Sequence, residues 1–429
     1  MFTYTSGPLL NTKQSRGNLP GLVLVLAAIC MICAPPYLKA QVNMKMQELS
    51  WSQRTANSAM QRWPPGHFRE ADPTPHWNYQ LAVLLEGMEA VWKKTGDKAV
   101  FNYIRQSMDQ LVQPDGSIPA YDGSVHSMDD ILLGRQLLLL YRVTGEDRYR
   151  KAALLIRKQL TTQPRNASGG FWHTQSFPNQ MLLDDEYMYA PFLAEYASLF
   201  SEPRDFDDIT MQLALLEEHT RDPKSGLLYQ EWNEPRTESW VSKTTGTSAN
   251  AWGRGVGWYI MALVDTLPYY SKDNPDRARL LAILNRTADG IVRHQDKKSG
   301  LWYQVLDKPG ERGNYLESSA AGMFVYALAK GVRLGYLPRR YSANALRGWK
   351  GMLHSFVQVA PGGAITITGT VKGIDLGSAQ SHDGSYAYYT SALVISNDPK
   401  GVGAFLLAST EIAEDTERGQ VEQRSYSRK

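Results

Sequence analysis

Three acids in succession, Asp184, Asp185 and Glu186, open an apolar segment of the chain. On a helix, Asp184, Met188 and Phe192 share one stripe, and that stripe is otherwise apolar. A carboxylate on a buried stripe is costly unless it is paired or used. Asp184 is therefore the first candidate for a working acid, pointing where Leu and Met point. Asp185 and Glu186 read as first-turn partners of the helix dipole. A second acidic pair lies at Asp129-Asp130. Ser127 stands at capping-box spacing from Asp130 and accounts for that acid. Asp129 keeps two readings, a favourable charge at a helix start or a second pocket carboxylate. His173 lies in the aromatic loop that leads into the Asp184 helix, in reach of contact with it. Trp252-Gly253-Arg254-Gly255-Val256-Gly257-Trp258 sets one Arg between two Trp at a helix entry. That guanidinium either receives an anion at a mouth or sits on a packed turn.

Other chemistries lack their residues. There is no G-x-S-x-G elbow, H-E-x-x-H pair, phosphate-binding loop or dinucleotide fingerprint. The eight His have no metal-like spacing, so neither metal nor cofactor is expected. Cys30 and Cys33 are the only cysteines. Both fall in the first forty residues, which read as an export signal. Lys13 and Arg16 come first, then an apolar run from Gly21 to Ala34, then Pro35-Pro36, with cleavage expected near Ala40-Gln41. The alternative is an uncleaved anchor. With the signal removed, residues 41–429 form one domain without a thiol, placed in the periplasm or outside the cell.

The elements that would position these residues repeat along the chain. An apolar helix, a turn and a more amphipathic helix recur five times. Leu81–Trp92 leads to Ala99–Leu111, and Ile131–Tyr141 to Tyr149–Leu160. Phe192–Phe200 leads to Phe206–His219, Trp258–Tyr269 to Arg277–His294, and Met323–Leu334 to Tyr341–Phe356. Val402–Ala413 and Met44–Arg62 supply two more helices, and their pairing would close a ring of six hairpins. The first helix of each pair is nearly continuous in apolar residues and belongs inside. The fold class expected is all-α, an (α/α)6 barrel with a small β-hairpin from the alternating Ala364–Val371 run at its mouth. From about Glu414 the polar tail is expected to lack structure.

The loops between hairpins repeat as well. Gly169-Gly170-Phe171-Trp172, Ser225-Gly226-Leu227-Leu228 and Ser299-Gly300-Leu301-Trp302 each put glycine before an apolar-aromatic run. Gathered at one mouth, they would bring together Trp77, Trp172, Tyr229, Trp232, Trp252, Trp258, Trp302 and Tyr303. About half of these should be core and the rest should face a sugar. Charged residues make up 21% of the chain, the net charge is +3, and no long basic run occurs. A nucleic-acid partner is therefore not expected.

These segments resemble glycoside hydrolase family 105, the unsaturated rhamnogalacturonyl hydrolases, and more distantly family 88, the unsaturated glucuronyl hydrolases. The resemblance runs from about Trp77 to Ser409. It is carried by Gly169 to Met181, Leu183-Asp184 to Met188, Trp252 to Tyr259, Gly300 to Gln304, Asn314 to Ser319, and Asp383 to Gly403. It implies an (α/α)6 barrel and a small oligosaccharide substrate ending in a 4,5-unsaturated uronic acid. It implies that Asp184 is the proton donor, Asp129 the second pocket aspartate and His173 a pocket histidine. Arg254, Trp252 and Trp258 match pocket residues near the uronate, and Trp77, Tyr79 and Gln230 are further substrate-binding candidates. Burial and the nearby Asp129 should raise the Asp184 pKa against the pull of the helix start. Two positions depart from the pattern: Gln230 replaces a His, and His382 replaces an Arg before Asp383-Gly384-Ser385. Competing readings are an unsaturated glucuronyl hydrolase, a lyase or epimerase on the same ring, and a sugar-binding protein without turnover.

Overall fold

The computed structural model describes residues 50–68, 74–377 and 379–426, with side chains as far as residue 412. The export segment and the first part of the Met44–Arg62 helix lie outside the described residues. Among the described residues, twelve helices of eleven or more residues carry the fold. They are α1 (Trp51–Arg62), α2 (Tyr79–Thr95), α3 (Lys98–Asp109), α4 (Gly134–Thr144), α5 (Asp147–Thr162) and α6 (Leu183–Phe200). Then follow α7 (Arg204–Thr220), α8 (Gly253–Thr266), α9 (Asp276–Arg293), α10 (Ser318–Arg333), α11 (Tyr341–Ser355) and α12 (Pro399–Tyr426). The last helix thus continues past Ala413 into the polar tail.

Helices α2, α4, α6, α8, α10 and α12 each pack on the next, and α12 returns to α2. That is the inner ring. The partners α3, α5, α7, α9 and α11 lie outside it, and α1 packs on α12 to complete the sixth hairpin. The barrel is an (α/α)6 barrel closed where expected. Composition explains which helix goes inside. All fourteen residues of α8 are buried, whereas its partner α9 buries seven of eighteen. Only the continuously apolar helices can be enclosed on all sides without leaving polar groups dry.

Local chemistry sets the turns. In Thr95-Gly96-Asp97, Gly96 takes the left-handed cap at φ 68° and Asp97 caps α3 by accepting from the Ala99 amide at 2.8 Å. Thr144-Gly145-Glu146 repeats the glycine cap, with Gly145 at φ 72°, but Glu146 makes no side-chain cap on α5. The interhairpin loops share a second device. Asp222 accepts from the Ser225 amide at 2.9 Å and Asp296 from the Ser299 amide at 2.7 Å. In both loops the next residue, Gly226 or Gly300, has positive φ.

Besides the tail, two expectations change. Helix α4 starts at Gly134 rather than Ile131, because Met128–Asp130 is a separate 3-10 turn. Ser127 makes no side-chain cap there. The turn is instead held by its neighbours: the Met128 amide donates to the His173 carbonyl at 2.9 Å, and Gln159 Nε2 donates to the Ser127 carbonyl at 2.9 Å. The Ala364–Val371 run is split as well. β3 (Val357–Val359) pairs antiparallel with β4 (Ile365–Ile367), while β5 (Thr370–Val371) pairs with β6 (Val394–Ile395). A further antiparallel pair joins β1 (Gln180–Leu182) to β2 (Glu231–Asn233).

A small second core underlies the segment between β5 and β6. It contains Trp240, Trp252, Val305, Val371, Ile374, Leu376 and Tyr389.

Candidate active site

A cavity of about 1130 Å³ opens where the first residues of α2 and α6 meet. Its floor is Tyr79, Gln80, Asp129, His173, Leu182, Asp184 and Met188, and its far wall is the Lys372–Leu393 stretch between β5 and β6. Asp184 and Met188 both line it, as one helical stripe should.

Asp184 has a buried Oδ2 with no hydrogen-bond partner. Helix α8 approaches it through Gly255, where a Cβ would stand 3.3 Å from that oxygen. Burial raises the Asp184 pKa most. Arg254 opposes, Asp185 and Asp129 add to the rise, and His173 opposes again, leaving the group at about 7. Such a carboxyl holds its proton near neutral pH and is free to donate it, as the sequence led us to expect.

Asp129 is raised from its ordinary value chiefly by burial, with His173 pulling the other way. It stands in the Met128–Asp130 turn, away from any long helix start, so the dipole reading gives way to the pocket reading. His173 also lines the floor. Its Nδ1 is 2.7 Å from Asp185 Oδ1. Asp185 is 3% exposed and accepts from the Leu182 amide at 3.3 Å. It is thus a partner of His173 rather than only a first-turn charge. Sequence spacing did not reveal this, since the pair depends on how the loop before β1 folds back. Glu186 turns inward and accepts from the Tyr189 hydroxyl at 2.7 Å.

Other expected site residues stand behind the cavity wall rather than on it. Arg254 is 2% exposed, its Nη1 donates to the Val371 carbonyl, and its guanidinium lies 4.8 Å from the Trp252 ring centroid. It reaches Asp184 through its charge. Trp252 donates to Gln304 Oε1 at 3.1 Å within the second core. Trp258 stacks on Tyr187 at 5.1 Å in the main core. Trp77 donates its Nε1 to the Asp130 carbonyl at 2.7 Å and so fixes the turn that carries Asp129. Trp232 and Trp302 are core too. The aromatic faces on the cavity are Tyr79 and Tyr388, and Tyr388 was not among the expected residues. The physical reason is size: an indole buries so much apolar area that packing claims it before a solvent-filled mouth does.

Gln230 is fully buried beside the acid. It accepts from the Tyr389 hydroxyl at 2.6 Å and donates to Glu231 Oε1 at 2.9 Å. Beneath Tyr79 lies Lys400, buried and paired with Asp398 at 3.0 Å. His382 lines the far wall, 3.1 Å from Asp375 Oδ1. Among the described residues, no group of three or more His, Cys, Asp and Glu could hold a metal ion.

Comparison with known proteins places this geometry among relatives. The sequence model described as Glycosyl Hydrolase Family 88 matches residues 51–415. A solved C. acetobutylicum glycoside hydrolase from family 105 is 39% identical, with a TM-score of 0.82, covering 85% of this chain and 100% of that one. The unsaturated rhamnogalacturonyl hydrolase YesR of Bacillus subtilis is 27% identical over 264 residues, 60% of this chain and 72% of that protein. An unsaturated glucuronyl hydrolase from Bacillus sp. GL1, 15% identical with a TM-score of 0.61, shares the fold over 83% of this chain and 94% of its own.

Proposed function

The chain belongs to glycosyl hydrolase family 88 and, with it, to the family 105 glycoside hydrolases; from that premise we propose that it removes a 4,5-unsaturated uronic acid from the non-reducing end of pectin-derived rhamnogalacturonan oligosaccharides. The observation that carries the reading is Asp184: an unpartnered carboxyl oxygen on the floor of a cavity, held neutral to about pH 7 with a second aspartate beside it. The rhamnogalacturonan substrate is supported by the likeness to YesR.

The reacting group is a vinyl ether, so the two-carboxylate scheme of ordinary glycoside hydrolysis does not apply. Asp184 gives its proton to C4, and positive charge develops at C5 and the ring oxygen. Water adds at C5 and returns a proton to the Asp184 carboxylate. The C5 hemiketal opens by breaking its ring C5–O bond, giving a ketone at C5 and a hemiacetal at C1. That hemiacetal collapses to an aldehyde, breaking the bond to the leaving sugar's oxygen, which departs carrying the hemiacetal proton. Asp129 stands on the same floor, where its charged form would stabilise the developing positive charge. Export through the first forty residues would place the enzyme where lyase products form.

The test is loss of the enol-ether absorbance when enzyme meets unsaturated disaccharides. Those from rhamnogalacturonan should be consumed faster than those from homogalacturonan or glycosaminoglycans, and intact pectin should be inert. Asp184→Asn should lower kcat by about 10²–10⁴-fold while the fold persists. Near-full activity of that variant would overturn the assignment. Appearance rather than loss of the absorbance would mark a lyase. Amino-terminal sequencing of the protein from the producing cells checks the export signal: a start near Gln41 is expected.

A further inference from the structure

An anionic sugar on the cavity floor needs a cation, and Arg254 is turned away from that floor toward the Val371 carbonyl. The basic side chains that line the cavity are Lys372, His382 and His173. Lys372 and His382 belong to the far wall, and His382 already faces Asp375. His173 is the one beside Asp129 and Asp184. It is fixed from several directions. Its amide donates to the Gln180 carbonyl at 2.8 Å, its carbonyl accepts from Met128, and the Phe177 ring lies against its imidazole at 6.3 Å. Nδ1 is committed to Asp185 at 2.7 Å. Nε2 is the ring nitrogen left for the cavity.

We propose that Asp185 is a positioning residue that holds His173 as an imidazolium, whose Nε2–H receives the carboxylate of the bound uronate in place of Arg254. The inference rests on the uronide reading above. The charged groups facing His173 come from every side: Asp185 and Asp184 on α6, Asp129 on the 3-10 turn and Glu231 on β2. Burial works to discharge the ring, but Asp185, by charge and by hydrogen bond, then Asp129 and Glu231, raise its pKa to about 10. The cation therefore persists across the range in which Asp184 still holds its proton. Asp185→Asn keeps the hydrogen bond but removes the nearest negative charge, so the ring loses its proton at lower pH.

The test uses the full chain with ¹⁵N-labelled histidine, with His173→Gln to assign the ring signals. Galacturonate is the charged probe and galactose the neutral one. At about pH 8 the wild-type His173 ring should be an imidazolium and the Asp185→Asn ring a neutral imidazole. Galacturonate should then bind about tenfold more weakly to Asp185→Asn than to the wild type, a gap that closes near pH 5.5, while galactose affinity stays put. Asp185→Glu should restore the wild-type pH profile. With an unsaturated disaccharide, the Asp185→Asn loss should fall on KM more than on kcat. A neutral wild-type ring at about pH 8, or galacturonate affinity indifferent to Asp185→Asn at both pH values, overturns the proposal. If Asp185→Asn fails to fold, His173→Gln decides: unchanged galacturonate affinity sinks it. A wild type that binds galacturonate through His173 yet consumes no unsaturated uronide refutes the uronide reading and leaves the binding role standing.

Discussion

Asp184 is expensive to keep where it is. Its folded pKa of about 7 lies well above the ordinary carboxylate value, so the folded state holds a proton that the unfolded state has released. Stability attributable to this group is present at acid pH and is lost as pH rises from about 4 through about 7. Asp184→Asn removes the ionisable group, so its melting temperature relative to wild type should climb over that window by several degrees. Parallel thermal melts at about pH 5 and pH 8 check this; a constant difference would mean the carboxyl is not held neutral. Activity should follow the same proton, with kcat falling as pH passes about 7. The place of Asp184 on the cavity floor was legible from its apolar stripe. Asp185 was not, because its partner His173 reaches it only after the loop before β1 folds back. The aim of Arg254 was not legible, because it is set by the Val371 carbonyl far along the chain.

At the scale of elements, the glycine-aromatic loops explain themselves through backbone geometry. Gly300 has φ 76°, and a Cβ there would meet the Arg347 carbonyl oxygen at 2.7 Å. Gly300→Ala should therefore cost about 1–3 kcal/mol of stability, read by denaturant unfolding, from the strained backbone and the contact with fixed main chain. Gly96→Ala, where φ is also positive but nothing lies within 4 Å, should cost about 1 kcal/mol. The hairpins were readable because the inner helices carry long apolar runs, fullest in α6, α8 and α10, while the outer ones are striped. The start of α4 was not, since the Ser127 spacing mimics a cap while the turn it belongs to is held by Gln159 and His173. Strand pairing was half readable: the alternating run gave β4 and β5, but their partners lie on opposite sides in sequence.

At the scale of the whole molecule, the ring depends on its seam. Helix α1 buries Ala56 and Ala59 completely, and Ser58 Oγ accepts from the Ile365 amide at 2.8 Å. A chain beginning at Ser50 should melt like the full chain. One beginning after Trp63 should lose α1 from the seam against α12 and unfold at much lower temperature, by at least about 10 °C, without a sharp transition. Circular dichroism melts of the two would decide it. The count of six hairpins was legible, because period survives any local misreading of a boundary.

The seam also has a consequence in time. Ser58 and Ile365 are separated by 307 positions, and α12 lies further along still. The earliest described helix packs chiefly on the last one and on β4, so barrel closure is a late, long-range event with a slow loop to close. Until α12 emerges from the ribosome, five hairpins exist with two raw edges and no lock. For the export proposed above, a chain in that state would still be threadable, and its closure would follow translocation.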